Sequence, residues 1–315
     1  MKESGQFHLE ILSKISDVTA PEWNGLLTED SGPFLKHEFL SSLEETGCVG
    51  NNTGWQIAHL VLKLDKAIVG AMPLYLKQHS YGEYVFDWSW AQAYEQQGMN
   101  YYPKVLCATP FTPVQGSRLL SKPGMNKELI YSKLISGLKS LVINNELSSA
   151  HILFPQKDEL GILNTQGFLL RDSVQFHWHN QGYQSFKQFL SSLTMKKRKN
   201  IRREREFVAR HNIAFRHISG KESTDQDWEF FYACYANTYY EHQSQPYLNE
   251  AFFKLWTKRL PENIHLIVAE RNGAPIASSL LAVDTVMSKA YGRYWGSLEH
   301  VPLLHFETAY YQAIE

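Results

Sequence analysis

Cysteine is scarce in this 315-residue chain: only Cys48, Cys107 and Cys234 occur, far apart and odd in number. Neither a disulfide framework nor a zinc-binding spacing can be assembled from them, which suits a reducing cytosol. Net charge is nearly absent too, with 31 basic against 32 acidic side chains. No whole-chain field therefore points to nucleic acid, and any basic feature has to be local. No apolar run approaches the roughly 20 residues of a membrane helix. The polar start, Met1 to Gln6, lacks the apolar core of a signal peptide. These absences lead us to expect a cytoplasmic protein without a transmembrane segment.

Aromatic residues, by contrast, are plentiful: 17 Tyr, 17 Phe and 8 Trp. Many must line surfaces or grooves, because phenols seek hydrogen-bond partners. The length favours two domains, and the chain repeats itself in a way that supports them. His59-Leu60-Val61 opens a β-rich stretch ending at Tyr81-Gly82-Glu83-Tyr84, and His265-Leu266-Ile267 opens another ending at Tyr291-Gly292-Arg293-Tyr294. Both read as strand, polar turn, strand, strand, and a cleft between two related units is a common ligand site.

Periodicity predicts strands over 7–16, 55–64, 68–76, 83–88 and 105–111, with helical signals near Pro21-Glu22-Trp23 and over 34–43. The segment 90–102 reads as loop or helix. Asn126 is expected to cap a helix whose stripe is Leu129, Ile130, Leu134, Leu138 and Leu141. A short buried strand follows at 150–154, then a helix over 157–166 stopped by Gly167, and a long strand over 168–179. Asn180-Gln181-Gly182 reads as the linker, giving domains 1–180 and 181–315.

In the second domain one helix is expected to carry Phe186, Leu190, Leu193, Ile201 and Val208. Strand 213–217, helices 227–240 and 249–260, a hairpin at Arg271-Asn272-Gly273, strand 291–296 and a helix from Leu303 complete it. The first domain continues past its hairpin for far longer than the second, so we expect the second to lack its C-terminal portion.

Four clusters could carry chemistry. On a strand, Glu83, Val85 and Asp87 would share one face, with Tyr84, Phe86 and Trp88 on the other. Desolvation and mutual repulsion would push such carboxylates upward and supply a general base. The same pair is also what alternation leaves on the polar edge of a strand. Gln175, His177 and His179 would share another strand face, suited to catalysis or substrate hydrogen bonding, or to a structural pair. Without a third ligand at suggestive spacing, no metal is expected there.

Residues 196–205 hold seven cations, Lys196, Lys197, Arg198, Lys199, Arg202, Arg203 and Arg205, against one acid. With Arg202 and Glu206 as the main i,i+4 pair, this is a phosphate-binding surface or a solvated helix face. Gln115, Gly116 and Arg118 lie in a loop before a helix N-terminus, where phosphates could be received. Arg293, His305 and Glu307 close the second repeat, with a substrate-binding or a plain surface role.

The stretches MPLYLKQHSYGEYVFDW, YYPKVLCATPFTPVQGSRLL, VQFHWHN, KKRKNIRRERE and YGRYWGSLEHVPLLHFETAYYQAIE together resemble a bacterial "peptidoglycan biosynthesis/recognition" family. That family is placed in the GNAT acyl-CoA N-acyltransferase superfamily. The cationic stretch also resembles Fem-type aminoacyl-transferases, which have two GNAT-like domains and take amino acids from aminoacyl-tRNA. The resemblance implies an α/β (α+β) tandem GNAT-like fold, with mixed, largely antiparallel sheets flanked by helices and a second domain truncated at its C-terminus.

It further implies an N-acyltransferase acting on an amine and linked to cell-wall precursors, with acyl-CoA as a candidate donor. In that reaction Glu83, Asp87, or His177 through water takes the amine's proton, strand amides hold the oxyanion, and Tyr84 or Tyr294 protonates the leaving group. The 196–205 helix would hold phosphates of donor or acceptor. Two alternatives stay open: Fem-like transfer with tRNA as donor, and a non-catalytic binder of a cell-wall precursor or polymer. The GNAT pyrophosphate pattern, Gln/Arg-x-x-Gly-x-Gly/Ala, is altered here, with Gly116 directly after Gln115 and Arg118 where glycine is expected.

Overall fold

In the computed structural model of the protein, which describes residues 5–315, the chain divides into two units, one ending at Arg171 and one running from Asp172 to Glu315. The division falls before Asn180, the expected linker.

The first unit opens with β1 (Phe7–Leu12), α1 (Ala20–Asn24) and α2 (His37–Glu45). What the periodicity read as two long strands is four: β2 (Trp55–Ile57), β3 (His59–Leu64), β4 (Ala67–Met72) and β5 (Leu74–Lys77). Pro73, with no N–H for a ladder, separates β4 from β5, and Ala58 separates β2 from β3. At these breaks the chain passes between two sheets. Helix α3 (Trp88–Gln96), β6 (Lys104–Cys107), β7 (Leu120–Ser121), α4 (Lys127–Asn144), β8 (Ala150–Ile152) and α5 (Leu160–Thr165) follow.

One sheet has the order β1-β3-β4-β7 and the other β2-β5-β6-β8, with β6 and β8 the parallel pair. Helix α4 makes the crossover between them. Asn126 caps it by accepting from the Leu129 amide, as expected. Of the expected stripe, Ile130, Leu134, Leu138 and Leu141, joined by Ile135, pack with Leu60, Leu62, Val69, Leu74 and Val105 in the core, whereas Leu129 is exposed.

The second unit holds α6 (Phe186–Ser192), α7 (Met195–Arg210), β9 (Ile213–Ser219), α8 (Asp225–Glu241), α9 (Glu250–Arg259), β10 (Ile264–Arg271), β11 (Ala274–Asp284) and β12 (Lys289–Ser297). Its sheet is wholly antiparallel, in the order β12-β11-β10-β9. The single helix expected from Phe186 to Val208 is broken at Leu193-Thr194, because the Thr194 side chain accepts from the Lys197 amide and starts a new helix. The β10–β11 hairpin turns on Asn272 and Gly273, both at positive φ, as the sequence indicated. The last elements are a short α-helix at 304–306, a π-helical turn at 307–311 and a further α-helical stretch at 312–314. The architecture is mixed α/β with largely antiparallel sheets flanked by helices.

Two strand expectations fail. Residues 168–179 alternate but lie outside any strand among the described residues, since alternation makes a strand only where a ladder partner is available. Residues 83–88 are a turn running into α3: Gly82 and Tyr84 have φ of 79° and 58°, which no strand accommodates. The repeat therefore extends through the two hairpins, β3–β4 and β10–β11, but not to its third strand. Tyr291 to Tyr294 lie in β12, whereas Tyr81 to Tyr84 lie in the turn, so Glu83 and Arg293 are not counterparts.

Candidate functional site

The site lies in the first unit and starts from strand register. Trp55 of β2 pairs with Lys77 of β5, and Lys77 pairs with Lys104 of β6. Cross-strand neighbours point to the same face of a sheet. The Lys77 ammonium accordingly sits 3.7 Å from the centre of the Trp55 ring, a desolvated cation–π contact. Both lysines are fully buried.

Residues 78–87 fold back over this row. At Gly82 a side chain would bring its Cβ within 2.6 Å of the Phe111 ring, so the reversal at positive φ needs glycine. The turn delivers Glu83 and Asp87 to Lys104. The Lys104 ammonium donates to Glu83 Oε2 at 2.8 Å, to Ser80 Oγ at 3.0 Å and to Asp87 Oδ2. Tyr101 Oη donates to Asp87 Oδ2 at 2.6 Å and lies 3.2 Å from His151 Nε2, which Ser149 Oγ approaches to 2.9 Å. Ser80 Oγ meets Tyr102 Oη at 2.7 Å. Lys77 has one carbonyl for its ammonium, that of Tyr81 at 3.2 Å.

Burial and pairing set the protonation of each group. Burial pushes the Glu83 carboxyl up, and the charge and hydrogen bond of Lys104 reverse this only in part, so it stays above the ordinary carboxylate range. Burial also raises Asp87, but hydrogen bonds from Lys104, Ser80 and Tyr101 outweigh it and hold that carboxyl low. Burial brings Lys77 down to about 7, with Glu83 opposing the fall. His151 is lowered to about 4, chiefly by burial and then by Lys104, and is neutral at pH 7.

Glu83 Oε1 and Asp87 Oδ1 are buried with no hydrogen-bond partner among the described residues. Such oxygens are costly unless something donates to them. Around the cluster, Tyr81, Phe86, Trp88 and Trp90 are exposed, Phe86 by 76%. The arrangement can accept a proton at Glu83, beside a lysine that titrates near neutrality and under an aromatic rim. Glu83 and Asp87 do meet, as the sequence suggested, but around a lysine rather than by mutual repulsion on a strand face.

Lys77, Lys104, Tyr101 and His151 were missed. Lys77 ends the apolar strand LYLK and Lys104 begins KVLC, where a lysine reads as a solvated strand end. Tyr84 stands in the same turn as Glu83.

The other candidates lie elsewhere. Gly116 N donates to the Phe154 carbonyl and Gln115 Nε2 to that of Pro155. Arg118 is 1% exposed and donates to the carbonyls of Leu153, Ser117 and Val114. Its amide and that of Leu119 are taken by Glu159. This segment is a structural tie in which Arg118 and the amides of Gly116, Arg118 and Leu119 are engaged within the protein, an arrangement that does not match the open glycine-rich turn expected to receive the pyrophosphate of an acyl-CoA.

In the second unit, Gln175, His177 and His179 stand in an exposed, non-strand segment, the two imidazoles 6.1 Å apart. Tyr294 is half-buried, packs on Tyr235 and Phe253, and its hydroxyl accepts from Arg293. Glu307 is buried, accepting from Arg205 at 3.0 and 3.1 Å and from Gln312 at 2.7 Å. It anchors α7 rather than facing solvent. Burial lowers His305, which lies against Trp295. Lys196, Lys197, Lys199 and Arg202 are exposed along α7, while Arg198 donates to the Ser191 carbonyl. Glu206 faces Arg210 at 3.7 Å, not Arg202. Among the described residues no cluster of three or more His, Cys, Asp or Glu side chains is placed to hold a metal, and no helix is long and apolar enough to cross a membrane.

A model of the FemAB-like family, described as peptidoglycan biosynthesis/recognition, matches residues 14–315. No curated protein matches the chain. Among solved structures, a tandem GNAT protein from the clavulanic acid biosynthesis pathway aligns at 10% identity and a TM-score of 0.44, over 95% of this chain and 82% of its own. An aminoglycoside N-acetyltransferase solved with CoA aligns at 12% identity and a TM-score of 0.35, over 57% of this chain and 99% of its own. An aminoglycoside acetyltransferase from an uncultured soil metagenomic sample, solved with trehalose, aligns at 15% identity and a TM-score of 0.32, over 56% and 97%.

Proposed function

Because the chain belongs to the FemAB-like family of peptidoglycan biosynthesis/recognition, we propose that it is a GNAT-like N-acyltransferase that moves an acyl or aminoacyl group from an activated donor to an amine of a cell-wall precursor. The observation that carries this reading is Glu83: a buried carboxylate, held above its ordinary pKa, with one oxygen bonded to Lys104 and the other without a partner.

An amine that attacks an acyl carbon must lose a proton as the C–N bond forms. Glu83 Oε1 receives that proton, and as the bond from the acyl carbon to the leaving group breaks, Glu83 passes the proton on to the leaving group, which restores the carboxylate. A carboxylate whose pKa is raised towards neutrality is a better base for this step than an ordinary one. Lys104 holds the carboxyl in place through its other oxygen, and Asp87, kept ionised, balances the lysine charge. The aromatic rim offers apolar surface for the acceptor. Because Gln115 to Arg118 does not fit a pyrophosphate, no step is derived through acyl-CoA, and an activated ester or thioester of either donor type meets the chemistry.

The test is turnover by the full chain, with acetyl-CoA and aminoacyl-tRNA as alternative donors and a soluble muropeptide amine as acceptor. Glu83→Gln, close in size, should lower turnover by about 10²- to 10⁴-fold under conditions where circular dichroism shows the variant still folded. Turnover that survives the substitution removes Glu83 as base. If the wild-type chain consumes neither donor but binds the muropeptide, the protein is a binder and not a transferase.

A further inference from the structure

We propose that the outer face of α7, together with Met195 at its start and the neighbouring Val174 and Phe176, is a docking surface for an anionic phospholipid bilayer. Along α7, Ile201, Glu204, Arg205 and Val208 turn inward, while Lys196, Lys199, Arg203 and Arg210 form an exposed row. Lys196, Lys197, Lys199, Arg202 and Arg203 have no ion-pair partner among the described residues.

This row works against its own helix. Lys199 and Arg203 are like charges at i,i+4, which repel. Lys196 and Lys197 sit in the first turn, at the positive end of the helix dipole, with no acid there to offset them. An anionic partner would relieve both conflicts.

The apolar side chains select the partner. Phe176 is 98% exposed, Val174 82% and Met195 77%. Trp178, next to them in sequence, packs against Phe189 of α6 at 5.7 Å and against Tyr183. Arg198 of α7 bonds the Ser191 carbonyl at the end of α6. The apolar segment and the start of α7 thus belong to one local body around α6. Nucleic acid would satisfy the cations but leave the aliphatic side chains in water. A bilayer takes both, with headgroup phosphates for the cations and the acyl boundary for Phe176 and Met195. Attachment of this kind lies on the membrane and needs no spanning helix.

The experiment is sedimentation of the full chain with vesicles of phosphatidylcholine mixed with phosphatidylglycerol, and with vesicles of phosphatidylcholine alone. Binding to the anionic vesicles only, weakened by added salt, is expected. The triple substitution Lys196→Gln, Lys199→Gln and Arg203→Gln should lower partitioning about a hundredfold, roughly fivefold per cation. Phe176→Ser should lower it about tenfold. All four positions are exposed, so unfolding should not change. Failure to bind the anionic vesicles overturns the proposal. So does the combination of wild-type vesicle binding by Phe176→Ser with capture of an RNA oligonucleotide that the triple substitution abolishes.

Discussion

Lys77 and Lys104 stand directly opposite each other on adjacent antiparallel strands, yet both carboxylates of the turn above bind Lys104 and neither forms an ion pair with Lys77. Like charges in register destabilise a sheet. The conflict is resolved by treating the two amines differently: Lys104 is neutralised by Glu83 and Asp87, and Lys77, resting on Trp55, gives up its proton readily. That asymmetry leaves Glu83 between a permanent partner and a neighbour whose charge depends on pH.

Removing Lys104 should be severe. Lys104→Met leaves two buried carboxylates without their cation, and breaking a buried pair from one side costs about 3–5 kcal/mol. Urea unfolding of the variant measures this. A loss under 1 kcal/mol would show that Glu83 and Asp87 reach solvent and that the cluster is not buried.

Lys77 makes a prediction of opposite character. Its folded pKa, about 7, lies below the ordinary lysine value of 10.5, so between these limits the unfolded chain binds the extra proton. Stability should rise as pH increases from about 7 towards 10.5 on account of this group, and the cost of burying its charge is fully felt below 7. Lys77→Met should flatten that limb of the stability profile and leave the protein at least as stable near pH 6. Thermal unfolding across this range checks it, and an unchanged slope in the variant would assign the dependence to other groups.

Arg118 and Glu159 fix the loop between β6 and β7. Arg118→Met strands the carbonyls of Leu153, Ser117 and Val114 and removes the charge facing Glu159. It should cost about 2–4 kcal/mol, since several buried partners are left unpaired at once. Chemical denaturation gives the value. A variant that folds normally but loses affinity for a phosphate-bearing donor would return Arg118 to a binding role.

Local signals were the legible part of the fold. The Asn126 cap, the stripe of α4 apart from the exposed Leu129, and the Asn272-Gly273 hairpin depend on neighbours in sequence and appear where expected. What depends on distant partners was hidden. Residues 168–179 have strand alternation but no ladder to join. Glu83 and Asp87 were found, yet their geometry comes from Gly82 and from Phe111 filling the space beside it, contacts that spacing does not encode. Lys77 and Lys104 were invisible because the register aligning two strand-end lysines is a tertiary fact. Arg118 was misread for the same reason: loop and helix-start signals cannot reveal that its side chain is buried on the carbonyls of Leu153, Ser117 and Val114.

The central claim is that Glu83 is a proton acceptor held above the ordinary carboxylate range, and a titration of the folded full chain tests it without a substrate. With glutamate carboxyls labelled with carbon-13, the resonance missing from Glu83→Gln identifies Glu83 in the wild-type spectrum. The account predicts that this resonance titrates clearly above the ordinary glutamate value of 4.5. A midpoint at or below that value would mean that Lys104 holds Glu83 as an ordinary ion-pair carboxylate, and would contradict its role as the base.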